Sequence, residues 1–450
     1  MHPLTQWQGH RRVLALALPM VISNISVPLL GLVDTFVIGH MEQSYYLSGV
    51  SLGAMIISLL FWLLGFLRMS TTGLVAQANG ANDNLLSMQR LAQAVLLALG
   101  LATALLLLQW PIKSAALWLA GGGSEEVRHY ATVYFDIRIW SAPAALTNLV
   151  LMGWFLGMQN ARAPMYMLLL TNIVNILLDL LFVPVLGWGV SGAALASVIA
   201  DYSGLVLALV LLRGAMGHTG MPKLAWQQVA DLPMIKQLLG LNRDIFIRAL
   251  MLQLCFAFLT FQGARLGDNI IAANAVLLNF LMLASYGLDG FAYAAEALFG
   301  RALGQAKRHK AVEILWLTGI WSALLGIALT LIFGLFGEQI IHRLTDIESV
   351  RETATQYLPY LVWLPLVGTW CFWLDGLFVG ATLGKAMRNS MLLCTLGVFF
   401  PTWWLMQSQG NDALWIAMLL FMAARGVSLG WMLMRDWRNE NKPFCWQSGC

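Results

Sequence analysis

The chain has 450 residues, of which 59% are hydrophobic and only 11% carry a charged side chain. A soluble globular domain usually has about 25% charged residues, so this composition excludes an ordinary soluble protein and indicates many membrane-spanning helices. The net charge of +4 does not indicate nucleic-acid binding, because in a membrane protein the placement of basic residues matters more than their sum. The five cysteines and seven histidines show no metal-ligand or disulfide spacing. The sequence contains no phosphate-binding or hydrolase motif, so nothing in it indicates an enzyme or an ATP-driven motor.

Hydrophobic segments long enough to cross a bilayer recur along the whole chain. A polar connection, residues 213–237, divides them into two sets of six. We therefore predict an N-terminal six-helix lobe (1–212), a C-terminal six-helix lobe (238–434) and a polar tail (435–450). The predicted spans are 13–39, 46–69, 91–111, 130–158, 165–186, 190–212, 238–263, 270–297, 314–337, 355–380, 390–407 and 412–434.

The basic residues predict an orientation. Of the 26 lysines and arginines, eighteen fall on the side of the membrane that holds the N-terminus, and six fall on the opposite side. Basic residues concentrate in cytoplasmic connections, so both termini are predicted to be cytoplasmic. The expectation is an all-α polytopic protein, embedded in the lipid bilayer as a monomer.

The two halves resemble each other in sequence. The fourth and tenth spans match at an offset of 223 residues. Because each half has an even number of spans, corresponding spans enter the membrane in the same sense, which is typical of a parallel repeat. Two six-helix bundles with a cavity between them are therefore expected. The matched residues are Arg128, Ala131, Thr132, Tyr134, Trp140, Gly153 and Gly157, with Arg351, Ala354, Thr355, Tyr357, Trp363, Gly376 and Gly380.

The first span contains two prolines and one carboxylate: Pro19, Pro28 and Asp34. Proline removes a helical hydrogen bond and favours a kink. A carboxylate within a span is costly and normally faces a bundle interior or a water-filled cavity. A helix that can bend and holds an ionisable group fits a transporter driven by protons or cations. The alternative is that Asp34 lies near the headgroups and the prolines serve only packing.

The fifth span carries a polar face. Asn172, Asn175 and Asp179 recur at spacings of three and four residues, which places them on one side of a helix. Asparagine can simply join membrane helices, an alternative that fits Asn172 but fits the carboxylate of Asp179 poorly. If Asp34 and Asp179 converge, their coupled protonation can respond to pH near neutrality. The same oxygens, with Asn175, could instead hold Na⁺.

Further charged residues lie within later spans. Asp289 in the eighth span has either a coupling or a structural role, and Glu296 near the end of that span has Arg301 as a candidate partner. Asp375 and Arg425 could form an internal ion pair or contact a substrate. Two more charged residues lie within predicted spans. Arg248 is expected to extend its charged end to the cytoplasmic interface. Asp201 could approach Asn148 or Asn175.

Several stretches resemble the multidrug and toxic compound extrusion (MATE) family, and the resemblance covers nearly the whole chain. They are LPMVISNISVPLLGLVDTFVIGH, LRMSTTGLVAQANGA, and three segments similar to its bacterial DinF-like branch: LNRDIFIRALMLQLCF, LDGFAYAAEALFG and WLDGLFVGAT. The resemblance implies an antiporter that expels amphipathic, often cationic compounds in exchange for H⁺ or Na⁺, without a cofactor.

The resemblance also implies a cation-coupling site in the N-terminal lobe. Its residues would be Asp34, Asn175, Asp179, Tyr134 and Ser197, the last replacing a threonine of relatives. Protonation of the first-span aspartate would bend that helix near Pro19 and Pro28. Asp289, Asp375 and Arg425 are weaker second-lobe candidates. The alternative functions are a flippase for a lipid-linked precursor, a membrane-embedded enzyme and a membrane scaffold; the flippase would require a more cationic cavity.

Overall fold

The computed structural model describes the backbone of residues 7–39, 44–120, 124–219 and 225–438. Within helices, the side chains of residues 29–39, 44, 120, 218–219 and 226 lie outside the described part. Throughout the described ranges the regular structure is helical. The α-helices are α1 Trp7–Gly39, α2 Ser44–Leu63, α3 Phe66–Gly80, α4 Asn84–Leu107, α5 Gln109–Ala120, α6 Glu125–Arg138, α7 Ala142–Gly157, α8 Arg162–Leu180, α9 Gly189–Thr219, α10 Trp226–Val229, α11 Leu232–Leu266, α12 Asp268–Gly304, α13 Arg308–Leu344, α14 Glu348–Gly380, α15 Gly384–Cys394, α16 Phe400–Met406 and α17 Asn411–Arg438.

The predicted spans coincide with these helices. Among the described residues, 11 helical segments are long and apolar enough to cross a membrane. Each matches one of the second to twelfth predicted spans, and no predicted span extends more than 4 residues beyond its segment. The first predicted span lies within α1, which is 33 residues long. Several spans combine two helices, because short 3-10 or π turns join them without a loop. The all-α polytopic fold is therefore confirmed.

Two of these internal turns occupy related places in the two halves. A π-helical turn, Leu181–Val185, ends the fifth span and contains Pro184. A second π-helical turn, Thr395–Phe399, lies within the eleventh span, just before Pro401. Proline lacks a backbone N–H and disfavours the regular α-helical hydrogen-bonding pattern around it, so a local change to π geometry next to each proline is physically reasonable.

The repeat seen in the sequence is also present in the backbone. Asn82 and Ala306, 224 residues apart, both have positive φ angles, 56° and 52°. Gln159 and Thr382, 223 residues apart, likewise have φ angles of 66° and 57°. Each ends a helix with an αL residue, where a left-handed conformation closes the last turn. The two halves therefore turn the chain at equivalent positions.

Matched glycines of the repeat make equivalent helix contacts. A Cβ atom on Gly153 would lie 2.5 Å from the backbone oxygen of Arg68, and one on Gly376 would lie 2.4 Å from that of Ala292. Both distances are too short for any side chain, so glycine allows the second and fourth spans of each half to approach closely. The matched tryptophans agree as well, since Trp140 and Trp363 are each 56% exposed.

The backbone contacts divide the chain into two compact units. The N-terminal unit comprises Ile22–Asn79 and Asp83–Leu238, and the C-terminal unit comprises Met1–Val21, Gly80–Asn82 and Leu239–Cys450. These units differ from the predicted lobes at the start of the chain, where residues up to Val21 group with the C-terminal unit, and at Gly80–Asn82, which also groups with that unit. Within that unit, Trp321 Nε1 donates a 3.1 Å hydrogen bond to His10 Nδ1, which attaches the start of α1 to α13.

The connection predicted at 213–237 is more ordered than its polar composition suggests. In its described part, α9 continues to Thr219, α10 follows at Trp226–Val229 and α11 begins at Leu232. Side chains of α4 bind it, because Gln93 Nε2 donates to the carbonyl of Val229 at 3.1 Å and Arg90 donates to Gln237 Oε1 at 2.5 Å. These bonds place the connection within the N-terminal unit.

Candidate functional site

The polar face predicted on the fifth span forms a buried hydrogen-bonded group. Asn175 on α8 donates through Nδ2 to Asp179 Oδ2 at 2.8 Å and to Ser197 Oγ at 3.4 Å. Asn175 and Asp179 are each 3% exposed, and Ser197 is 9% exposed. The structure therefore brings together three of the five residues predicted to hold a coupling ion. We call Asn175, Asp179 and Ser197 the α8–α9 polar group.

The close antiparallel packing of α8 and α9 positions this group. The chain reverses between them through Gly187 and Gly189, whose φ angles of 69° and 54° cost glycine less than any residue with a side chain. Further along, Gly204 faces Thr171, where an added Cβ would lie 2.4 Å from the threonine hydroxyl. Small residues at such a contact let two membrane helices approach closely. Ser197 thereby comes within hydrogen-bonding distance of Asn175.

Tyr134, on α6, borders the polar group from the apolar side. It is buried in a cluster with Val183, Val190 and Ala193. Val183 follows Asp179 by one helical turn, and Ala193 precedes Ser197 by one turn. Opposite the ring, a Cβ on Gly53 of α2 would lie 3.0 Å from the Tyr134 Cβ. Tyr134 therefore packs with residues one helical turn from Asp179 and from Ser197, and its role at the coupling site stays a prediction.

Asn172 joins α8 to the first span. Its Nδ2 donates to Ser26 Oγ at 2.6 Å, and Ser26 Oγ in turn donates to the carbonyl of Ser23 at 2.6 Å. This contact fits the helix-joining role considered for Asn172. It also connects the helix of the polar group to α1, which carries Asp34 further along.

The remaining first-span predictions are tested only in part. The side chain of Asp34 lies outside the described residues, so its role stays a prediction. The helix α1 continues through both prolines, with Pro19 half-buried and Pro28 exposed. A bend at either proline therefore also stays a prediction.

The N-terminal unit contains a second polar contact, which the sequence did not predict as part of the coupling site. Arg138 Nη1 lies 2.6 Å from Asp201 Oδ2 and also contacts the hydroxyl of Ser141. The backbone oxygen of Asp201 accepts a 2.9 Å hydrogen bond from Asn148 Nδ2, so of the two neighbours considered for Asp201, the described contact is with Asn148. The sequence offered one indication of this contact, the helical spacing of its residues. Arg138 follows Tyr134 by four residues and Asp201 follows Ser197 by four, so each lies one turn from a predicted site residue.

The second-lobe candidates form a buried ionic cluster. Arg425 Nη2 lies 2.6 Å from Asp375 Oδ2, so the internal ion pair considered for these residues is present. Arg248 donates to the same oxygen. The expectation that Arg248 extends to the interface is therefore wrong, because its guanidinium turns inward to Asp375 and the residue is buried.

Two guanidinium groups thus share one carboxylate in the interior of the C-terminal unit. Arg425 is only 1% exposed, and its guanidinium also lies 5.5 Å from the centre of the Phe421 ring. The Nε atoms of Arg248 and Arg425 have no hydrogen-bond partner among the described residues. This three-residue cluster carries a formal charge of +1.

The eighth-span carboxylates lie outside that cluster. Asp289 is half-buried and Glu296 is buried on α12. The contact considered between Glu296 and Arg301 stays a prediction, as do the functional roles of Asp289, Asp375 and Arg425. Within the described residues, no group of three or more His, Cys, Asp or Glu side chains could hold a metal ion. A Na⁺ site at Asp34, Asn175 and Asp179 is not tested by that observation, because it includes Asp34.

A helical membrane protein with two repeated halves and buried polar groups within its spans belongs, as a class, with secondary transporters. Comparisons with known proteins agree. A family model described as MatE matches residues 19–181 and 245–405. The chain is 47% identical to DNA damage-inducible protein F of Escherichia coli over 428 residues, covering 94% of this chain and 92% of that protein.

More distant relatives extend the comparison. The chain is 26% identical to the chloroplastic Protein DETOXIFICATION 44 of Arabidopsis thaliana over 450 residues, covering 94% and 81% of the two chains. Its fold matches a solved structure described as the outward-facing conformation of a multidrug resistance MATE family transporter, with a TM-score of 0.86, 20% identity, and coverage of 95% and 96%. The chain belongs to the MatE family. It is a multi-pass membrane transporter and not an enzyme.

Proposed function

We propose that the protein exports amphipathic, often cationic small molecules from the cytoplasm across a bacterial inner membrane, in exchange for H⁺ or Na⁺. The observation that carries this proposal is the buried α8–α9 polar group, in which Asp179 is a carboxylate held within a membrane span. An ionised carboxylate is costly in such a place. Binding of a proton or a sodium ion removes part of that cost.

The carboxylates of Asp179 and Asp34 would carry the coupling ion. Asn175 fixes the orientation of the Asp179 carboxylate, since its amide donates to Oδ2 at 2.8 Å without neutralising the charge. Ser197 supplies a hydroxyl next to the same amide, and Tyr134 closes the apolar side of the group. Asn172 links any rearrangement of this helix to α1 through Ser26.

Exchange follows from linkage. A coupling ion that binds one conformation more tightly than the other shifts the balance between them by the ratio of the two affinities. We propose that ion uptake from outside and ion release to the cytoplasm favour opposite conformations of the transporter. Bending of α1 near Pro19 and Pro28 would be the element that responds. No cofactor takes part, and both termini are proposed to be cytoplasmic.

A flippase for a lipid-linked precursor is the second candidate, and one observation favours it. Such a cargo has a pyrophosphate group, and the Arg248–Asp375–Arg425 cluster supplies buried guanidinium groups in excess of carboxylates. Guanidinium groups bind phosphate oxygens through paired N–H donors. In a flippase, replacement of Arg248 with Gln would abolish movement of a polyprenyl-pyrophosphate probe and leave drug efflux unchanged.

Proteoliposomes containing the purified full chain test the primary proposal. They would be loaded with ethidium as a fluorescent cationic probe, and either a proton gradient or a sodium gradient would be imposed. We expect one gradient to accelerate probe efflux several-fold over protein-free liposomes. Acceleration by sodium alone would assign Na⁺ as the coupling ion. Efflux that neither gradient changes, alongside transport of the pyrophosphate probe, would overturn the antiporter proposal in favour of the flippase.

A further inference from the structure

A cavity outside the transport machinery lies between the start of α13 and the end of α17. Its volume is about 270 Å³. Six of the seven residues around it are apolar, including two tryptophans, and the seventh is an arginine. We call it the α13–α17 groove, defined by Val312, Leu315, Trp316, Leu433, Met434, Trp437 and Arg438.

Two guanidinium groups lie in or next to this groove. Arg438 lines it directly. Arg308 donates to the carbonyl of Trp437 at 3.3 Å, and its guanidinium carbon lies 5.7 Å from the centre of the Trp437 ring. Neither Arg308 nor Arg438 has an ion-pair partner in the part of the chain that the structure describes. The neighbouring carboxylate, Asp436, is buried and bound by Arg435 at 2.9 Å.

The position of the groove along the spans matches the edge of a bilayer. Both spanning segments that form it, Arg308–Leu344 and Asn411–Arg438, have their charged ends there. Tryptophan is enriched at this depth, where its ring meets both lipid and water, and Trp316 is 56% exposed. The basic residues predict that this edge faces the cytoplasm, and basic pockets between helices on that side bind anionic lipid headgroups.

We propose that the α13–α17 groove binds an anionic phospholipid. One acyl chain occupies the apolar cavity against Val312, Leu315 and Leu433. The phosphate lies at the rim, where Arg308 and Arg438 donate hydrogen bonds to its oxygens. Charge complementarity favours this occupant, because the two guanidinium groups have no ion pair with a carboxylate among the side chains that the structure describes. A zwitterionic lipid would place its own cation against the same arginines.

Native mass spectrometry of the purified full chain tests this site. Delipidated protein would be incubated with phosphatidylglycerol or with phosphatidylcholine of the same acyl chains. We expect phosphatidylglycerol to be retained at least about fivefold more than phosphatidylcholine, a ratio that corresponds to roughly 1 kcal/mol. Replacing Arg308 and Arg438 together with Gln should remove that preference. Both side chains are exposed, so this variant should fold.

Two further variants separate the parts of the site. In the matched control, Gln replaces Arg162 and Arg213, two exposed basic residues of the other unit, and the preference should persist. Val312→Trp fills the cavity and should lower retention with the rim charges intact. Equal retention of the two lipids would overturn the proposal, as would equal loss in the control variant. If glycerol phosphate, which has no acyl chain, displaced the lipid, the site would bind only the headgroup. That result would contradict the proposed binding of an acyl chain in the groove.

Discussion

Asn175 is the residue whose contacts define the candidate coupling site most closely. Its amide bonds both Asp179 and Ser197, so it fixes the distance between α8 and α9 as well as the direction of the carboxylate. Asn175 and Asp179 could be predicted because they recur at helical spacing, whereas Ser197 was predicted only from the resemblance to the family. Spacing places Arg138 and Asp201 one helical turn from Tyr134 and Ser197, but it does not show that they pair. They are 63 residues apart along the chain, and only packing brings them together.

Asn175→Ala should lower coupled transport roughly tenfold or more, because a hydrogen bond to a charged group contributes about 1.5–3 kcal/mol. The measurement is ion-gradient-driven efflux from proteoliposomes. Ser197→Thr keeps the hydroxyl that Asn175 contacts and should stay close to the unmodified protein. Full activity of Asn175→Ala would show that Asp179 does not need this donor.

The Arg248–Asp375–Arg425 cluster predicts an order of stability among variants. Asp375→Asn leaves two buried guanidinium groups without a carboxylate and should destabilise by about 3–5 kcal/mol. Arg425→Gln leaves Arg248 and Asp375 as a balanced pair and should cost less. Thermal unfolding followed by tryptophan fluorescence measures both. Asp346→Asn is the control, since that carboxylate forms an exposed ion pair with Arg351, which contributes little. The reverse order would contradict the shared-carboxylate geometry.

At the scale of elements, hydrophobic length predicts the spans, and equivalent positions recur in both halves. The sequence did not show that some helices, such as α9, continue beyond the apolar segments that predict them. The polar connection after α9 contains helix in its described part, and α4 side chains bind it through contacts that have no local signature in the sequence. The π turns near Pro184 and Pro401 are likewise set by local geometry that hydropathy does not report.

The equivalent helix contacts at Gly153 and Gly376 should be equally sensitive to added volume. Alanine at either position places a Cβ against backbone oxygen of the neighbouring helix, which should destabilise by about 1–3 kcal/mol. Gly100→Ala is the matched control, because nothing lies within 4 Å of its added Cβ. The melting temperature distinguishes them. Equal stability of Gly100→Ala and Gly376→Ala would contradict the close approach of these helices.

The αL helix ends predict a stabilising substitution. Ala306 has a φ angle of 52°, a conformation that costs an L-residue roughly 1–2 kcal/mol, so Ala306→Gly should raise the melting temperature. Asn82, its counterpart in the first half, tolerates this conformation better, and Asn82→Gly should gain less. Ala302→Gly, within the helix, should instead lower stability by about 1 kcal/mol. A loss of stability in Ala306→Gly would count against this backbone assignment.

At the scale of the whole molecule, the two contact-based units follow the repeat only approximately. The first half of α1 groups with the C-terminal unit, although the sequence places the whole first span with the N-terminal lobe. The hydrophobic periodicity of α1 cannot show this grouping, because the grouping depends on which distant helix α1 packs against. The α1 helix therefore belongs to both units, a useful property for an element proposed to respond to ion binding.

The central claim is that the buried carboxylate of Asp179 carries the coupling ion. The most direct measurement is counter-ion release when substrate is added to purified protein, followed with dyes for H⁺ and for Na⁺. The unmodified protein should release ions, and Asp179→Asn should release none while remaining folded. Asp136→Asn is the matched control, because Asp136 is a partly exposed carboxylate paired with Lys113 in the same unit, and its release should be unchanged. Release from Asp179→Asn equal to that of the unmodified protein would contradict the claim.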